Sequence, residues 1–388
     1  MQVLVEMKAV IQYAYPPEPD GLSLQGHYLY LGMKENGEDV LPCNPGSDLE
    51  REWKFRHFKP DIAIGVGYWG NTPELIIDPM KFSITPVPWL VADGWIANYQ
   101  GILNSLRLIL TTSEWVKQTY IRDGVKGDNI VPMHIGIDTE LFRPMPKNNP
   151  EIERIRRLLS VREDEKMILT IGGDTTSKGS QEMLKALKIM DEQFPNYKYV
   201  MKSWPSEVSE GHRMEEEKLI EELDIDRNKL VFLDGAWSND FMPYILNAAD
   251  IYAAPSRLEG FGMIQVEAMA CGIPVISIDE MGPKETIVHD KTGFLAKVKS
   301  TVELEGEWVY PSMGFDRKYW MKFPKKKVFA YRADEDELAE YTLKLLQDDS
   351  LRQEMGNNAR QHAVENFNYK MISKKIADLI KERLDIKG

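Results

Sequence analysis

Short apolar runs punctuate the first part of the chain, separated by longer stretches in which apolar residues recur at helical spacing. The runs are Lys8 to Tyr13, Asp61 to Val66, Phe82 to Val87, Leu106 to Thr111 and Ile130 to Met133, each bounded by turn-forming residues. Runs of this kind predict strands covered on both faces, as in a parallel sheet. Leu24 to Asn36 and Ser113 to Asp123 predict helices between them, the second opened by Ser113 and Glu114. Strand and helix in alternation predict a doubly wound α/β domain.

The pattern breaks at Pro144-Met145-Pro146-Lys147-Asn148-Asn149-Pro150, a breaker-rich stretch that marks a linker. A charged helix then leads into a second series of strands at Met167 to Gly172, Tyr197 to Lys202, Leu230 to Leu233, Asp250 to Ala254 and Pro274 to Ile278. Two Rossmann-like domains follow, 1–150 and 151–367. Residues 368–388 add an amphipathic helix whose Met371, Ile372, Ile376, Leu379 and Ile380 pack back on the domains. The acidic run Glu215 to Glu222 has helical spacing with Leu219 and Ile220 and reads as a solvated helix face without a function.

A chain of 388 residues exceeds what one hydrophobic core normally supports, so a cleft between two domains is the expected place for a ligand. The formal charge of −13 argues against nucleic acid as a partner. Two cysteines far apart in sequence, Cys43 and Cys271, support neither a disulfide framework nor a zinc site. The absence of a run of about 18 apolar residues and of a signal-peptide pattern predicts a cytoplasmic protein. The first strand begins directly behind Met7, which makes Met7 an alternative start.

The strongest chemical signal is the stretch from Pro255 to Ile276, PSRLEGFGMIQVEAMACGIPVI, which begins where a predicted strand ends. Ligands of open α/β sheets bind outside the carboxyl ends of the strands. Gly260 and Gly262 let backbone approach a ligand, and a helix opening near Met263 turns free N–H groups and a positive dipole end toward it, an environment suited to a diphosphate. Glu267, one turn into that helix, can accept two hydrogen bonds from a vicinal diol such as that of ribose. The plainer alternative is a Gly-rich turn with two surface glutamates.

This stretch resembles the Glu-x7-Glu motif of retaining GT-B glycosyltransferases, most closely glycosyltransferase family 4, with Glu259 and Glu267 on its two glutamates. The resemblance continues in Thr112 to Trp115, His134 to Asp138, Lys178-Gly179, Gly293 to Leu295 and Asp334 to Leu338. It implies a GT-B fold and transfer of a hexose from a UDP- or GDP-linked sugar to a sugar or lipid-linked acceptor with retention, without a cofactor or a metal ion. It implies contacts to the donor from Glu259, Gly260, Phe261, Gly262, Met263, Ile264 and Glu267. Lys178 falls on the phosphate-binding lysine of the family, whose preceding arginine is replaced by Gly173; Arg257 is the expected substitute.

In the first domain the resemblance implies a glycine-rich loop near the donor phosphate, for which Gly21 is the match, a plain Pro-Gly turn being the alternative. It also implies a histidine after a central strand, where this chain has none. Asp93 is the polar residue at that place, flanked by Trp89 and Trp95, which either stack on a sugar or form a buried cluster. Lys178, Glu259 and Asp93 are thus the expected catalytic residues. His134 and His27 read as structural.

Between about 297 and 331 the chain departs from the family pattern with aromatic residues interleaved with lysines. A hairpin-like subdomain packed on the donor domain or on a second subunit is one reading. Acceptor binding and peripheral contact with an anionic membrane are the others. The loss of the arginine and histidine also leaves open a sugar-nucleotide-binding scaffold of weak or no turnover. An epimerase or a phosphorylase on the same plan is a third reading.

Overall fold

The computed structural model describes residues 7–91, 94–146 and 148–386. It divides into two compact units, neither continuous in sequence. The first comprises Met1–Asp138, Glu303–Phe329 and Asn366–Gly388, and the second Thr139–Val302 and Ala330–Glu365. These limits differ from the linear division at 150 and 368, because two later segments of chain belong to the first unit.

The first unit holds six parallel strands, β1 (Lys8–Gln12), β2 (Asp39–Cys43), β3 (Ile62–Tyr68), β4 (Thr85–Val91), β5 (Ile109–Thr111) and β6 (Ile130–Pro132), in the order β2-β1-β3-β4-β5-β6. The edge strand β2 has no counterpart among the apolar runs.

Strand β4 lies further along the chain than its apolar run, and carries Pro86 and Pro88. Thr85 N–H donates to Asp61 C=O on the β3 side, and Leu90 C=O accepts from Thr112 N–H on the β5 side. Alternate residues of a strand face alternate neighbours, so both prolines face β5, whose pairing starts only at Trp89. No ladder donor is lost at either proline.

The terminal helix Tyr369–Arg383 packs on the helix Gly21–Glu35 of this unit, closely enough that a Cβ on Gly32 would overlap Ser373 Oγ.

The insertion is a two-stranded ribbon of β13 (Val298–Val309) and β14 (Tyr319–Ala333), preceded in the chain by β12 (Gly293–Ala296) of the second unit. Its middle is core of the first unit. Val309 and Phe323 are buried with Trp69, Trp95, Leu103 and Tyr120, and the Trp95 ring lies 5.3 Å from Trp69 and 5.5 Å from Phe323. Asp123 fixes the ribbon from below: its carboxylate accepts from Ile96 N–H and pairs with Arg122 at 3.0 Å and Lys327 at 2.9 Å. Burial pushes that carboxyl up, but the bonds from Arg122, Lys327 and Ile96 outweigh it and hold the pKa below the usual range. Val309 and Phe323 of the ribbon are therefore part of the first unit's core. Phe323→Ala is expected to cost about 3 kcal/mol, read by urea unfolding followed through tryptophan fluorescence. An unchanged midpoint would show that the ribbon is dispensable to this core.

The second unit has six parallel strands, β7 (Lys166–Ile171), β8 (Tyr197–Ser203), β9 (Leu230–Asp234), β10 (Ile251–Ala253), β11 (Val275–Ile278) and β12, ordered β9-β8-β7-β10-β11-β12. The order reverses between β7 and β10, so the loops leaving those two strands part to opposite faces and open a crevice at their carboxyl ends. No helix among the described residues is long and apolar enough to cross a membrane.

Candidate functional site

Both loops at that reversal carry the residues singled out by their chemistry. After β7 the chain turns through Gly172 to Gly179 into the helix Ser180–Met190; after β10 it turns through Pro255 to Gly262 into the helix Met263–Ala270. Gly179 has φ +84°, and a Cβ there would lie 2.3 Å from Pro255 C=O, so this residue lets the two loops touch. The loops are further tied by Arg257 N–H donating to Ser177 C=O at 2.8 Å.

The loops bring Lys178 and Glu259 together, with Nζ 2.6 Å from Oε2. The other carboxylate oxygen of Glu259 accepts from Gly262 N–H at 3.0 Å. Gly262, with φ +93°, caps the helix that follows, so Glu259 reaches the first of the helix-end donors. Gly260 and Phe261 form the turn between them and Met263 and Ile264 open the helix, with Phe261 buried and Gly260 and Ile264 half-buried.

Glu267 lies inside the same helix at 2% exposure. Burial raises its pKa to about 8. A carboxyl in that position gains when hydroxyl donors come to it.

Arg257 does not face this crevice as a free cation. Its guanidinium binds Glu182 at 2.9 Å and Gln181 at 2.9 Å, and Arg332 binds the same buried Glu182 at 2.8 Å. Its expected place as the substitute for the missing arginine is thus not supported by its contacts. Lys202, at the end of β8, has its backbone beside this loop: Gly172 N–H donates to Lys202 C=O, and Trp204 N–H to Gly173 C=O. The Lys202 ammonium lies 5.3 Å from the rings of both Trp204 and Trp237, and burial lowers its pKa to about 8. The sequence reading passed over Lys202 because only the sheet register brings β8 beside Gly172.

Residues 151–306 match the family model for "Glycosyl transferases group 1". The chain has the GT-B fold, and its residues 151–306 are similar to the group 1 glycosyl transferases.

The GT-B chain is 29% identical over 234 residues to an uncharacterized glycosyltransferase of Methanocaldococcus jannaschii, covering 60% of this chain and 49% of that protein. It is 26% identical over 209 residues to the D-inositol 3-phosphate glycosyltransferase of Mycobacteroides abscessus, covering 53% and 44%. It spans about half the length of the curated relatives it matches. Among solved structures, sucrose-phosphate synthase of Thermosynechococcus elongatus superposes with a TM-score of 0.73 over 98% of this chain and 100% of the other, at 16% identity. The Anabaena protein HepE in complex with UDP-glucose superposes at 0.71 over 97% and 100%, at 17% identity. Likenesses this distant establish the fold.

In the first unit of the GT-B chain, Gly21 opens the helix Gly21–Glu35, and the Asp20 carboxylate accepts from both Leu22 and Ser23 N–H at 3.0 Å. Those helix-end donors are therefore already met by an anion. Trp89 and Trp95 are buried in the core and cannot stack on a sugar; Trp89 Nε1 donates to Met133 C=O. Asp93 lies outside the described residues. Both cysteines are free and buried. Among the described residues, no group of three or more His, Cys, Asp or Glu side chains could hold a metal ion.

Proposed function

We propose that the protein is a retaining hexosyltransferase that takes its sugar from a UDP- or GDP-linked donor and passes it to an acceptor hydroxyl. The observation that carries this reading is the pairing of Lys178 with Glu259 at the mouth of a helix whose interior holds the buried Glu267. That helix end and Lys178 suit a diphosphate, Glu267 suits the ribose diol, and Glu259 suits hydroxyls of the transferred sugar. The HepE structures with UDP and UDP-glucose support the choice of ligand class.

In this reading Lys178 exchanges part of its bond with Glu259 for the phosphate, stabilising the charge that builds on the leaving group. The leaving diphosphate takes the proton of the acceptor hydroxyl on the same face, which retains configuration, and the protein supplies orientation and charge. The Gly173 replacement and the engagement of Arg257 with Glu182 favour, as a second reading, a donor-binding scaffold of weak turnover.

A thermal-shift screen with uridine, guanosine and adenosine diphosphates and their sugars tests the donor reading. One base series is expected to raise the melting temperature, and Lys178→Met is expected to weaken that diphosphate by about tenfold or more. No shift with any of them would overturn it. Product analysis with labelled donor separates transfer from binding alone.

A further inference from the structure

The Lys178 loop is held by a neighbouring helix that the sequence gives no reason to connect with it. Helix Glu207–Glu222 presents Glu216, whose carboxylate is 1% exposed and whose Oε1 accepts three hydroxyls of that loop. Thr175 and Thr176 donate at 2.9 Å each, and Ser180 donates to the same oxygen. All three hydroxyl residues are themselves buried.

One turn earlier on the same helix, His212 Nδ1 lies 2.8 Å from Asp174 Oδ2. Asp174 in turn accepts from Thr176 N–H and Ser177 N–H at 3.1 and 3.2 Å. Gln181 bridges Thr176 Oγ1 and Glu215. Within the loop, the N–H groups of Lys178, Gly179 and Ser180 donate to Thr175, Thr176 and Thr175 C=O. Every residue from Asp174 to Ser180 is thereby fixed, while the Lys178 side chain alone leaves the loop toward Glu259.

We infer that Glu216 is a positioning residue for the Lys178 ammonium, acting through Thr175, Thr176 and Ser180, in the donor site proposed above. Three hydroxyl bonds to one buried carboxylate are charge-assisted and leave the loop no alternative arrangement of similar energy. A cation that must meet a diphosphate gains affinity from being held in place beforehand, since less freedom is lost on binding. Loosening Glu216 therefore weakens the phosphate-dependent part of donor binding and spares the nucleoside part.

The test is calorimetric titration of the full chain with uridine and UDP, guanosine and GDP, and adenosine and ADP, using wild type, Glu216→Ala, Lys178→Ala and the double variant. For the base that binds, Glu216→Ala is expected to lower the preference for diphosphate over nucleoside by about tenfold while leaving nucleoside affinity within about twofold. The double variant is expected to match Lys178→Ala, because both act on one interaction. Should Glu216→Ala fail to fold, Glu216→Gln and Thr176→Val carry the same expectation with a smaller loss.

A wild-type preference kept by these variants, or an equal fall for nucleoside and diphosphate, overturns the positioning role and leaves the donor reading standing. A wild-type protein that prefers none of the three diphosphates overturns both.

Discussion

Glu267→Gln is expected to stabilise the ligand-free protein at pH 8.5, to leave its stability near that of the parent at pH 5, and to weaken donor binding. The sign follows from the direction of the shift. Burial raises the folded-state pKa from 4.5 to about 8. Below pH 4.5 the carboxyl is protonated folded and unfolded, and costs nothing. Between there and about 8 only the unfolded chain ionises, so folding stability falls as pH rises, by a total of roughly 3 to 5 kcal/mol. Glutamine has no such titration and escapes the loss.

Donor binding behaves oppositely, because ribose hydroxyls donate to the ionised carboxylate and glutamine offers a single acceptor in its place. A loss of about ten- to a hundredfold in nucleotide affinity is expected. Chemical unfolding at the two pH values, with nucleotide titration of the same samples, checks both halves. A stability difference that does not change with pH would show that Glu267 is not the titrating group.

Gly282→Ala is expected to damage the donor turn through its backbone. A Cβ at Gly282 would sit 2.5 Å from Phe261 Cα and N and 2.6 Å from Gly260 C, all of it backbone that cannot rotate away. Gly282 N–H also donates to Glu259 C=O at 3.0 Å, so the turn and the start of helix Met281–Thr286 move together. The cost is about 3 kcal/mol, a fall in melting temperature on the order of 5 to 10 °C, with loss of diphosphate binding. Gly21→Ala is the matched control: a Cβ there meets nothing within 4 Å. Equal melting temperatures for the Gly282→Ala protein and the parent would show that the turn yields without penalty.

The parallel strands were legible because strands covered on both faces are apolar throughout, and the loops at the reversal of the second sheet were legible through their glycines. Edge strand β2 was missed because Asp39 and Pro42 interrupt its apolar run. β4 was displaced because its prolines read as breakers until the direction of each backbone group is known. Glu216 was taken for solvated surface: a run of glutamates on one helix looks uniform, and only the loop packed against it singles one out. The contacts of Arg257 were hidden for the converse reason, since its partners Glu182 and Gln181 come from a helix more than seventy positions earlier. Pairings of charge made by tertiary structure leave no local periodic trace.

The make-up of the first unit bears on how the protein is born. Its sheet is translated early, yet Val309 and Phe323, which seal Trp95, and the helix that covers Gly32 come from the last quarter of the chain. Until the ribosome has delivered them, that domain carries bare tryptophans and an unpaired helix face. The domain begun first is finished last, after the one that interrupts it, and nascent chains paused short of residue 366 are therefore natural clients for holding chaperones.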